Sequence, residues 1–203
     1  MRALCLNCTL KRSPEPSNTG DLAQVVLDAL EGHGVETEQV RVVDHQVGPG
    51  VVSEPVDEGD EWPALREKVV AAEILLVATP TWLGQPSSVA KRVLERMDAM
   101  LSETGDDGET PIAYNRVAGV VVTGNEDGAH HCIGEVCAAL NDIGYTAPGQ
   151  NWTYWNKGPG PGDEQWLSSD ERDWTVSTAK AAAGNLVAVA RALAAQPIGP
   201  PAS

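Results

Sequence analysis

Three apolar runs, each followed by a turn-forming loop and then by a helical pattern, constrain most strongly how this chain folds. Residues 2–8, 73–79 and 117–123 are rich in apolar and β-branched residues, which is typical of strands buried on both faces. Residues 35–43 alternate polar and apolar side chains, and residues 145–147 stop at a proline, so both predict edge strands. Helices are predicted over residues 19–33, 62–72, 87–102, 131–143 and 173–195.

This alternation of strands and helices predicts a three-layer α/β fold with a doubly wound, parallel, five-stranded sheet. Right-handed crossovers, with the second and fifth strands at the edges, produce the flavodoxin-like strand order 2-1-3-4-5. No linker-like composition divides the 203 residues, so we expect one domain over residues 1–195. Residues 196–203 are predicted to be a disordered tail.

The second predicted helix follows a long loop, and the third predicted helix has two distinct faces. Residues 44–60 carry Gly, Pro and acidic residues without a period and are predicted to form a surface loop. The buried face of the helix over residues 87–102 is predicted to carry Ala90, Val93, Leu94, Met97 and Leu101. Its solvent face is predicted to carry Lys91, Arg92, Glu95 and Arg96.

The net charge of −15 argues against a nucleic acid or an anionic membrane surface as partner, since both require basic patches. The acidity either keeps the protein soluble or forms an acidic docking face. There is no secretory signal pattern and no apolar run near the ~20 residues of a membrane span. We therefore expect a cytoplasmic protein, with Cys5 and Cys8 as buried thiols or, alternatively, as a redox pair or half of a zinc site.

The loop after the first strand, residues 9–19, has the chemistry of a phosphate site. It carries hydroxyl groups, an amide and two cations, Lys11 and Arg12, and it leads into a helix N-terminus. Free backbone N–H groups and the helix dipole favour an anion there. Ser17 or Thr19 can instead serve only as a helix cap. The loop has neither GxGxxG nor GxxxxGK[ST], so a monophosphate fits better than a dinucleotide or a triphosphate.

The loops after the third and fourth strands are suited to a flat ring. Residues 78–88 contain Pro80, Gly84 and Pro86 around Trp82, which predicts a stiff turn beside a planar group. Residues 123–130 contain two glycines and Asn125, which permit close approach and hydrogen bonds to a heterocycle. Because the carboxyl ends of parallel strands meet at one edge of the sheet, the three loops are expected to form one site.

Histidines and tryptophans near this site have more than one interpretation. His130 and His131 are adjacent and cannot readily point to one ion, so no metal is predicted; His130 lies either on the surface, as a cap, or near one end of the ring. Aromatic residues flank the Gly- and Pro-rich residues 158–162: Trp152, Tyr154, Trp155 and Trp166. They either roof the site, pack against a second subunit or cap the local core.

These motifs resemble those of the flavodoxin-like NADPH-dependent FMN reductases, a family that includes quinone and nitro-compound reductases. The resemblance covers nearly the whole chain and departs at Cys8, where the family often has Gly, and at Lys11, where it often has Arg. It implies that FMN phosphate and ribityl groups are bound by Thr9, Lys11, Ser17, Asn18 and Thr19. It places beside the isoalloxazine Pro80, Thr81, Trp82, Leu83 and Gly84, and on its other side Thr123, Gly124, Asn125, Asp127 and Gly128.

The resemblance implies an FMN-dependent NAD(P)H oxidoreductase that passes electrons to a small acceptor such as a quinone, a flavin or a nitro compound. The flavin carries this chemistry, so no catalytic side chain is predicted. Trp82 is either a wall for the flavin or part of the substrate entrance. The resemblance also implies a homodimer or a higher homo-oligomer. The alternative is a flavodoxin-type electron carrier without NAD(P)H turnover, whose acidity would suit docking to a basic partner.

Overall fold

The structure, a computed structural model, describes residues 1–158, 160 and 162–201. Pro159 and Pro161 of the Gly- and Pro-rich run, and Ala202 and Ser203 of the predicted tail, lie outside the described residues. The strands are β1 (Arg2–Asn7), β2 (Glu36–Arg41), β3 (Ile74–Trp82), β4 (Gln85–Pro86), β5 (Val117–Gly124) and β6 (Trp152–Asn156). The helices are α1 (Asn18–Glu31), α2 (Trp62–Ala71), α3 (Ser88–Met97), α4 (Ala129–Ile143) and α5 (Asp173–Ala195).

Among the described residues, five parallel strands form the sheet in the order β2-β1-β3-β5-β6, and the short β4 pairs with β3. Counted without β4, this is the predicted order 2-1-3-4-5, so the flavodoxin-like α/β fold is confirmed. The central strands β3 and β5 are almost wholly buried, as their continuous apolar sequences require. The alternating strand β2 lies at an edge, as predicted.

Helices cover both faces of the sheet and divide the core into two clusters. Residues of α2, α3 and α4 pack on one face, where Leu65, Val93 and Leu140 are buried. Residues of α1 and α5 pack on the other face, where Leu27 and Leu186 are buried. None of the helices in the described part of the chain is long and apolar enough to cross a membrane.

The fifth parallel strand is not where the sequence pattern predicted it. Residues 145–147 make only an isolated bridge, between Thr146 and Val117, and the edge strand is β6. The reason is that residues 152–156 alternate half-buried and buried side chains and are aromatic or β-branched apart from Asn156, which suits an edge strand. Because Gly and Pro residues follow them closely, the sequence pattern predicted no strand there.

The third helix was also predicted incorrectly in two respects. The α-helix ends at Met97, and residues 98–102 continue as a 3₁₀ helix that turns Leu101 outward, where it is 54% exposed. Arg96 was predicted to face solvent, but it is 0% exposed. It is buried because the loop before α2 packs over it. Its guanidinium is ion-paired with Asp60 (Nη1 to Oδ2, 2.6 Å) and donates hydrogen bonds to three carbonyl groups of that loop.

Strand β3 continues three residues beyond its predicted end and forms a hairpin with β4. Trp82 is therefore the last residue of a strand, and the turn consists of Leu83 and Gly84. Both have positive φ, +52° and +74°, as a tight two-residue hairpin turn requires. Glycine adopts this conformation without strain, whereas leucine rarely does, and the Leu83 side chain is 92% exposed.

Candidate active site at the carboxyl edge of the sheet

A cavity of about 260 Å³, which we call the edge cavity, lies where β1, β3, β5 and β6 end. Its lining comes from the loop after β1, the start of α1, the last residues of β3, β5 and β6, the residue after β5 and the segment after β6. The lining residues are Thr9, Leu10, Lys11, Asn18, Thr19, Pro80, Thr81, Trp82, Thr123, Gly124, Asn125, Trp155, Gln165 and Trp166. The predicted convergence of three loops at one edge is therefore present in the structure.

One end of the edge cavity is formed by the N-terminus of α1. Ser17 caps this helix, since its Oγ accepts a hydrogen bond from the N–H of Gly20 at 3.0 Å. Among the described residues, the N–H groups of Asn18 and Thr19 have no acceptor, as expected in the first turn of a helix. With the exposed ammonium group of Lys11 on the lining, these donors make this end of the cavity suited to an anion.

The middle of the edge cavity is bounded by the ends of β3 and β5. Thr123 Oγ1 and Thr19 Oγ1 lie 2.6 Å apart and connect β5 to α1. Thr81 is buried, whereas Trp82 is 53% exposed at the rim. This arrangement provides a polar floor and an aromatic side chain that remains accessible from solvent.

Gly84 and Gly128 bring the loops after β3 and β5 into backbone contact behind the cavity. A Cβ added at Gly128 would lie 2.6 Å from the Cα of Gly84, and Gly128 has φ of +124°. Both facts exclude a larger residue at Gly128 without movement of the loops. These two glycines therefore shape the site without lining it.

The described residues of 157–169, which we call the covering segment, close the remaining side of the edge cavity. Asn18 holds this segment, since its Nδ2 donates to Gln165 Oε1 (3.1 Å) and its Oδ1 accepts from the N–H of Leu167 (3.0 Å). Asn125 holds it at a second point, through two hydrogen bonds with Gly162. The covering segment is thus attached to both the α1 end and the β5 end of the cavity.

Trp166 is the central side chain of the covering segment and is fixed on two sides. Its Nε1 donates to Asp21 Oδ2 at 2.7 Å, and the guanidinium of Arg172 lies 4.5 Å from the centre of its ring. It is fully buried, and it lines the edge cavity together with the buried Trp155. These two indoles give the cavity rigid, apolar walls.

The edge cavity joins an anion-binding helix end to aromatic walls at the edge of a parallel sheet. Comparison of the sequence with models of known protein families shows which family has this site. Residues 1–158 match the sequence model of the NADPH-dependent FMN reductase family. The chain belongs to this family. The resemblance that the loop motifs indicated is therefore confirmed.

Three relatives of this FMN reductase family chain are informative. It is 44% identical over 166 residues, 79% of its length, to the divalent metal cation transporter MntH of Mycobacterium bovis (strain ATCC BAA-935 / AF2122/97). It is 41% identical over 172 residues, 80% of its length, to the 8-demethyl-8-aminoriboflavin-5'-phosphate synthase of Streptomyces davaonensis. The chain spans 24% of the first protein and 66% of the second.

The third relative is a solved structure. It is RosB with the bound intermediate 8-demethyl-8-formylriboflavin-5'-phosphate, to which the chain is 35% identical with a TM-score of 0.87. The similarity covers 98% of this chain and 82% of RosB. It therefore includes α5 and most of the covering segment, which lie beyond the part matched by the family model.

Most of the residues that the FMN reductase resemblance singled out line the edge cavity. These are Thr9, Lys11, Asn18, Thr19, Pro80, Thr81, Trp82, Thr123, Gly124 and Asn125. Five others do not line it: Ser17, Leu83, Gly84, Asp127 and Gly128. Ser17 caps α1, Leu83 points to solvent, the two glycines support the loops, and exposed Asp127 accepts a hydrogen bond from the N–H of Gly128.

Sequence reasoning did not include four lining residues among the site residues: Leu10, Trp155, Gln165 and Trp166. Leu10 lies between two predicted site residues, so its position in the loop was a usable signal. Trp155 and Trp166 were recognised as part of an unusual aromatic segment, and the structure shows that they belong to both the local core and the cavity wall. Nothing in the sequence distinguished Gln165.

Histidine and cysteine side chains near the site have structural contacts. His130, in the first turn of α4, packs edge-on against Trp152 and Tyr154 of β6, with ring centres 5.3 and 5.1 Å apart. Cys132 Sγ lies 3.7 Å from Thr81 Oγ1 and from the carbonyl oxygen of Gly84. Burial raises the pKa of the Cys132 thiol, so this group is protonated at neutral pH.

Proposed function

We propose that this chain binds FMN in the edge cavity and acts as an NAD(P)H-dependent oxidoreductase that reduces a small acceptor such as a quinone, a flavin or a nitro compound. The observation that carries this proposal is the joining of an anion-binding helix end and aromatic walls in one cavity, in a chain of the NADPH-dependent FMN reductase family. FMN has one phosphate monoester and one flat ring system, and these two parts match the two ends of the cavity.

The residues at the α1 end fit a phosphate group. The free N–H groups of Asn18 and Thr19 and the ammonium of Lys11 supply donors and positive charge. The hydroxyl of Thr9 lines the same end and accepts from the N–H of Lys11 at 3.3 Å, which orients the loop. These groups would hold the phosphate, and the flavin would take its orientation from that anchor.

The residues at the other end fit the ring. Trp82 and Trp155 offer flat apolar surfaces, and Gly124 permits close approach of the backbone. Among the described residues, the N–H groups of residues 125–127 have no hydrogen-bond acceptor, so they are available to a ligand. Such donors stabilise negative charge that develops on an electron-rich ring edge.

FMN, when bound, supplies hydride acceptance and electron transfer to the second substrate. The chain's own part is to bind, orient and cover. Asn18 fixes the covering segment over the cavity, and the buried Trp155 and Trp166 exclude water from one side of it. Trp82 at the exposed rim leaves one side accessible, which is where a nicotinamide and then an acceptor can enter.

The first experiment measures flavin binding by quenching of flavin fluorescence. We expect Lys11→Ala to weaken FMN binding about tenfold, because a charge-assisted hydrogen bond is lost. Riboflavin, which lacks the phosphate, should bind the variant and the natural chain equally. Lys180→Ala removes an exposed cation from α5 and serves as the control. Absence of FMN binding to the natural chain would refute the proposal.

The second experiment mixes FMN-loaded protein with NADPH or NADH without oxygen and follows flavin absorbance. Rapid bleaching, followed by recovery of the oxidised spectrum on addition of a quinone, is the expected result. If neither nicotinamide bleaches the flavin and only a protein donor does, the chain is a flavodoxin-type electron carrier instead.

A second candidate function follows from the flavin-related comparisons. One is named as an 8-demethyl-8-aminoriboflavin-5'-phosphate synthase, and RosB was solved with an 8-formyl intermediate of flavin phosphate bound. A chain of this kind can hold flavin phosphate as a substrate whose ring is altered at position 8. Mass spectrometry of the flavin recovered after turnover separates the two functions, since a bound redox cofactor returns with unchanged mass.

We also propose that the protein is a homodimer or a higher homo-oligomer in the cytoplasm. An aromatic cluster on and beside β6, made of the half-buried Trp152 and Tyr154 and the exposed Trp174 with stacked or edge contacts, is consistent with a subunit contact. Sedimentation velocity of the purified chain tests the assembly, and a monomer at micromolar concentration would refute it.

A further inference from the structure

The covering segment meets the anion-binding end of the edge cavity through one glutamine, Gln165. Residues 162–169 are described without a gap, and they contain the 3₁₀ turn at Trp166–Ser168. Gln165 precedes this turn, is half-buried and lines the edge cavity. It lies outside residues 1–158, so the match to the FMN reductase family assigns it no role. Its contacts therefore decide what it can do.

The contacts of Asn18 fix which way the Gln165 amide is turned. The N–H of Leu167 donates to Asn18 at 3.0 Å, and a backbone N–H can only donate, so the Asn18 atom that it meets is the oxygen Oδ1. The other polar atom of Asn18 is Nδ2, which donates to Gln165 at 3.1 Å and requires the acceptor Oε1 there. The NH₂ group of Gln165 is left over, and Nε2 makes no hydrogen bond within the described part of the chain.

This unused NH₂ group lies beside the free donors of α1. The Gln165 amide is bonded to the side chain of Asn18, the first residue of that helix. The N–H groups of Asn18 and Thr19 have no acceptor among the described residues, and Lys11 lines the same end of the cavity from the loop after β1. An anion with several oxygens can therefore accept hydrogen bonds here from the loop, the helix and the cover together.

Gln165 is a neutral residue in an acidic stretch. Asp163 and Glu164 precede it, and neither of them lines the edge cavity. Glu164 is turned towards Lys157, whose Nζ lies 3.1 Å from Glu164 Oε2. The side chains that the covering segment contributes to the lining are the amide of Gln165 and the indole of Trp166. A carboxylate at the position of Gln165 would repel an anion, whereas an amide N–H stabilises one.

The turn that carries Gln165 is already attached to α1. Asn18 makes two hydrogen bonds with it, and Trp166 Nε1 donates to Asp21 Oδ2 at 2.7 Å. The N–H of Gln165 donates to Ser168 Oγ at 3.2 Å, which fixes the backbone at the start of the turn. A ligand bound to both the α1 end and Gln165 would add a further link between these two elements. It would therefore stabilise the attached position of the cover.

We propose that Gln165 recognises the phosphate of FMN with its NH₂ group, so that the covering segment is held firmly only over a phosphorylated flavin. This inference rests on the proposed binding of FMN in the edge cavity and adds a residue of the cover to it. Riboflavin has a hydroxyl group in place of the phosphate, so it cannot link Gln165 to the N-terminus of α1 through a charged group. The cover accordingly retains FMN and releases riboflavin.

Gln165→Glu separates recognition of the phosphate from support of the cover. The glutamate keeps an oxygen that accepts from Asn18 Nδ2, but it loses the NH₂ group and adds a negative charge. Measured by flavin fluorescence, FMN should bind this variant about a hundredfold more weakly and riboflavin as in the natural chain. Gln165→Met loses the donor without adding charge and should weaken FMN binding about tenfold. Gln196→Glu adds the same charge at the exposed end of α5 and should change neither affinity.

Amide hydrogen exchange at residues 165–168 tests how firmly the cover is held. FMN should slow this exchange about tenfold in the natural chain, since one more charge-assisted hydrogen bond attaches the turn, and riboflavin should not slow it. Without ligand, Gln165→Glu should exchange like the natural chain because its contact with Asn18 remains. Equal slowing by riboflavin and FMN, or natural affinity of Gln165→Glu for FMN, would overturn the inference.

A phosphate monoester without the flavin ring separates this inference from the proposed function. Ribose 5-phosphate at millimolar concentration should slow exchange at residues 165–168 in the natural chain and not in Gln165→Glu. If FMN does not bind but ribose 5-phosphate has this effect, the proposed function fails and the recognition of phosphate by Gln165 stands. If FMN binds and is bleached by a nicotinamide but neither ligand acts through Gln165, the inference alone fails. If neither ligand has any effect, both fail.

Discussion

Arg96 is the residue whose environment departs most from its sequence pattern, and it organises a long irregular segment. Its side chain is fully buried and hydrogen-bonds the carbonyl groups of Gly48, Val52 and Glu54 as well as the carboxylate of Asp60. It also lies over the ring of Trp62, with its guanidinium carbon 5.6 Å from the ring centre. One side chain thus satisfies backbone acceptors across the loop before α2, which has no strand or α-helix of its own.

Replacing Arg96 should therefore destabilise the fold strongly. We expect Arg96→Met to lower the free energy of unfolding by about 3–5 kcal/mol, because Asp60 would be left buried without its partner. Lys91→Met, on the exposed face of the same helix, should change it by less than about 0.5 kcal/mol. Urea denaturation followed by circular dichroism measures both values. Equal effects of the two substitutions would contradict the role assigned to Arg96.

Asp60 links the same contact to pH. Its burial raises the pKa, but hydrogen bonds from the N–H groups of Val56 and Trp62 and from Arg96 outweigh burial and lower the pKa from 3.8 to about 2. The unfolded chain therefore binds this proton more tightly, so the stabilisation is complete above pH 4 and is lost as pH falls from about 4 to 2. Two pKa units correspond to about 2–3 kcal/mol.

Asp60→Asn isolates this contribution from that of other carboxylates. The variant should be less stable than the natural chain at neutral pH, and the difference in the free energy of unfolding should shrink as the pH falls to about 2. Urea denaturation at pH 5, 4, 3 and 2 measures the difference. A difference that stays constant across this range would show that Asp60 is not ionised with a lowered pKa.

At the scale of elements, the covering segment is held by a few side-chain contacts rather than by a sheet or a long helix. Its only helical piece is the 3₁₀ turn at Trp166–Ser168, among the residues described. Asn18 makes two of its contacts with the α1 end of the edge cavity. The attachment of this cover thus depends on a few side chains, since Asn18, Asn125 and Trp166 make hydrogen bonds between it and the rest of the site.

We predict that Asn18→Ala loosens the covering segment without unfolding the sheet. Amide hydrogen exchange at residues 165–168 should accelerate about tenfold, since two hydrogen bonds are lost. FMN should dissociate faster by a similar factor in stopped-flow measurements if the proposed cofactor site is correct. Asn185→Ala removes a comparable contact, to the carbonyl oxygen of Gly149, and should affect neither measurement.

For the molecule as a whole, the fold was largely predictable and the cover of the site was not. Continuous apolar runs identify central strands, and parallel strands place their exit loops at one edge, so the convergence of three loops followed from the sequence. Helix α5 was predicted with the bounds observed, because it is long and periodic. Contacts between distant segments, such as Asn18 with Gln165, leave no periodic signal and could not be predicted.

The mistaken elements have related physical causes. The helical periodicity predicts that Arg96 is exposed, because it describes one helix alone. It carries no information about the loop before α2 that packs over this residue. Strand β6 was missed because its aromatic residues are followed by Gly and Pro, whose turn preference dominated the local pattern. Both errors concern segments whose conformation depends on residues far away in the chain.

The position of α5 has a consequence for how this protein can be shortened. The family match ends at Gly158, yet Ala183, Leu186 and Val187 of α5 pack with Leu27 of α1 on one face of the sheet. A gene fragment that stops at the family boundary would encode a sheet with half of one helical layer missing and its apolar face in contact with water. Such a product should aggregate on expression, and the protein used in any of the experiments above should extend at least through residue 195.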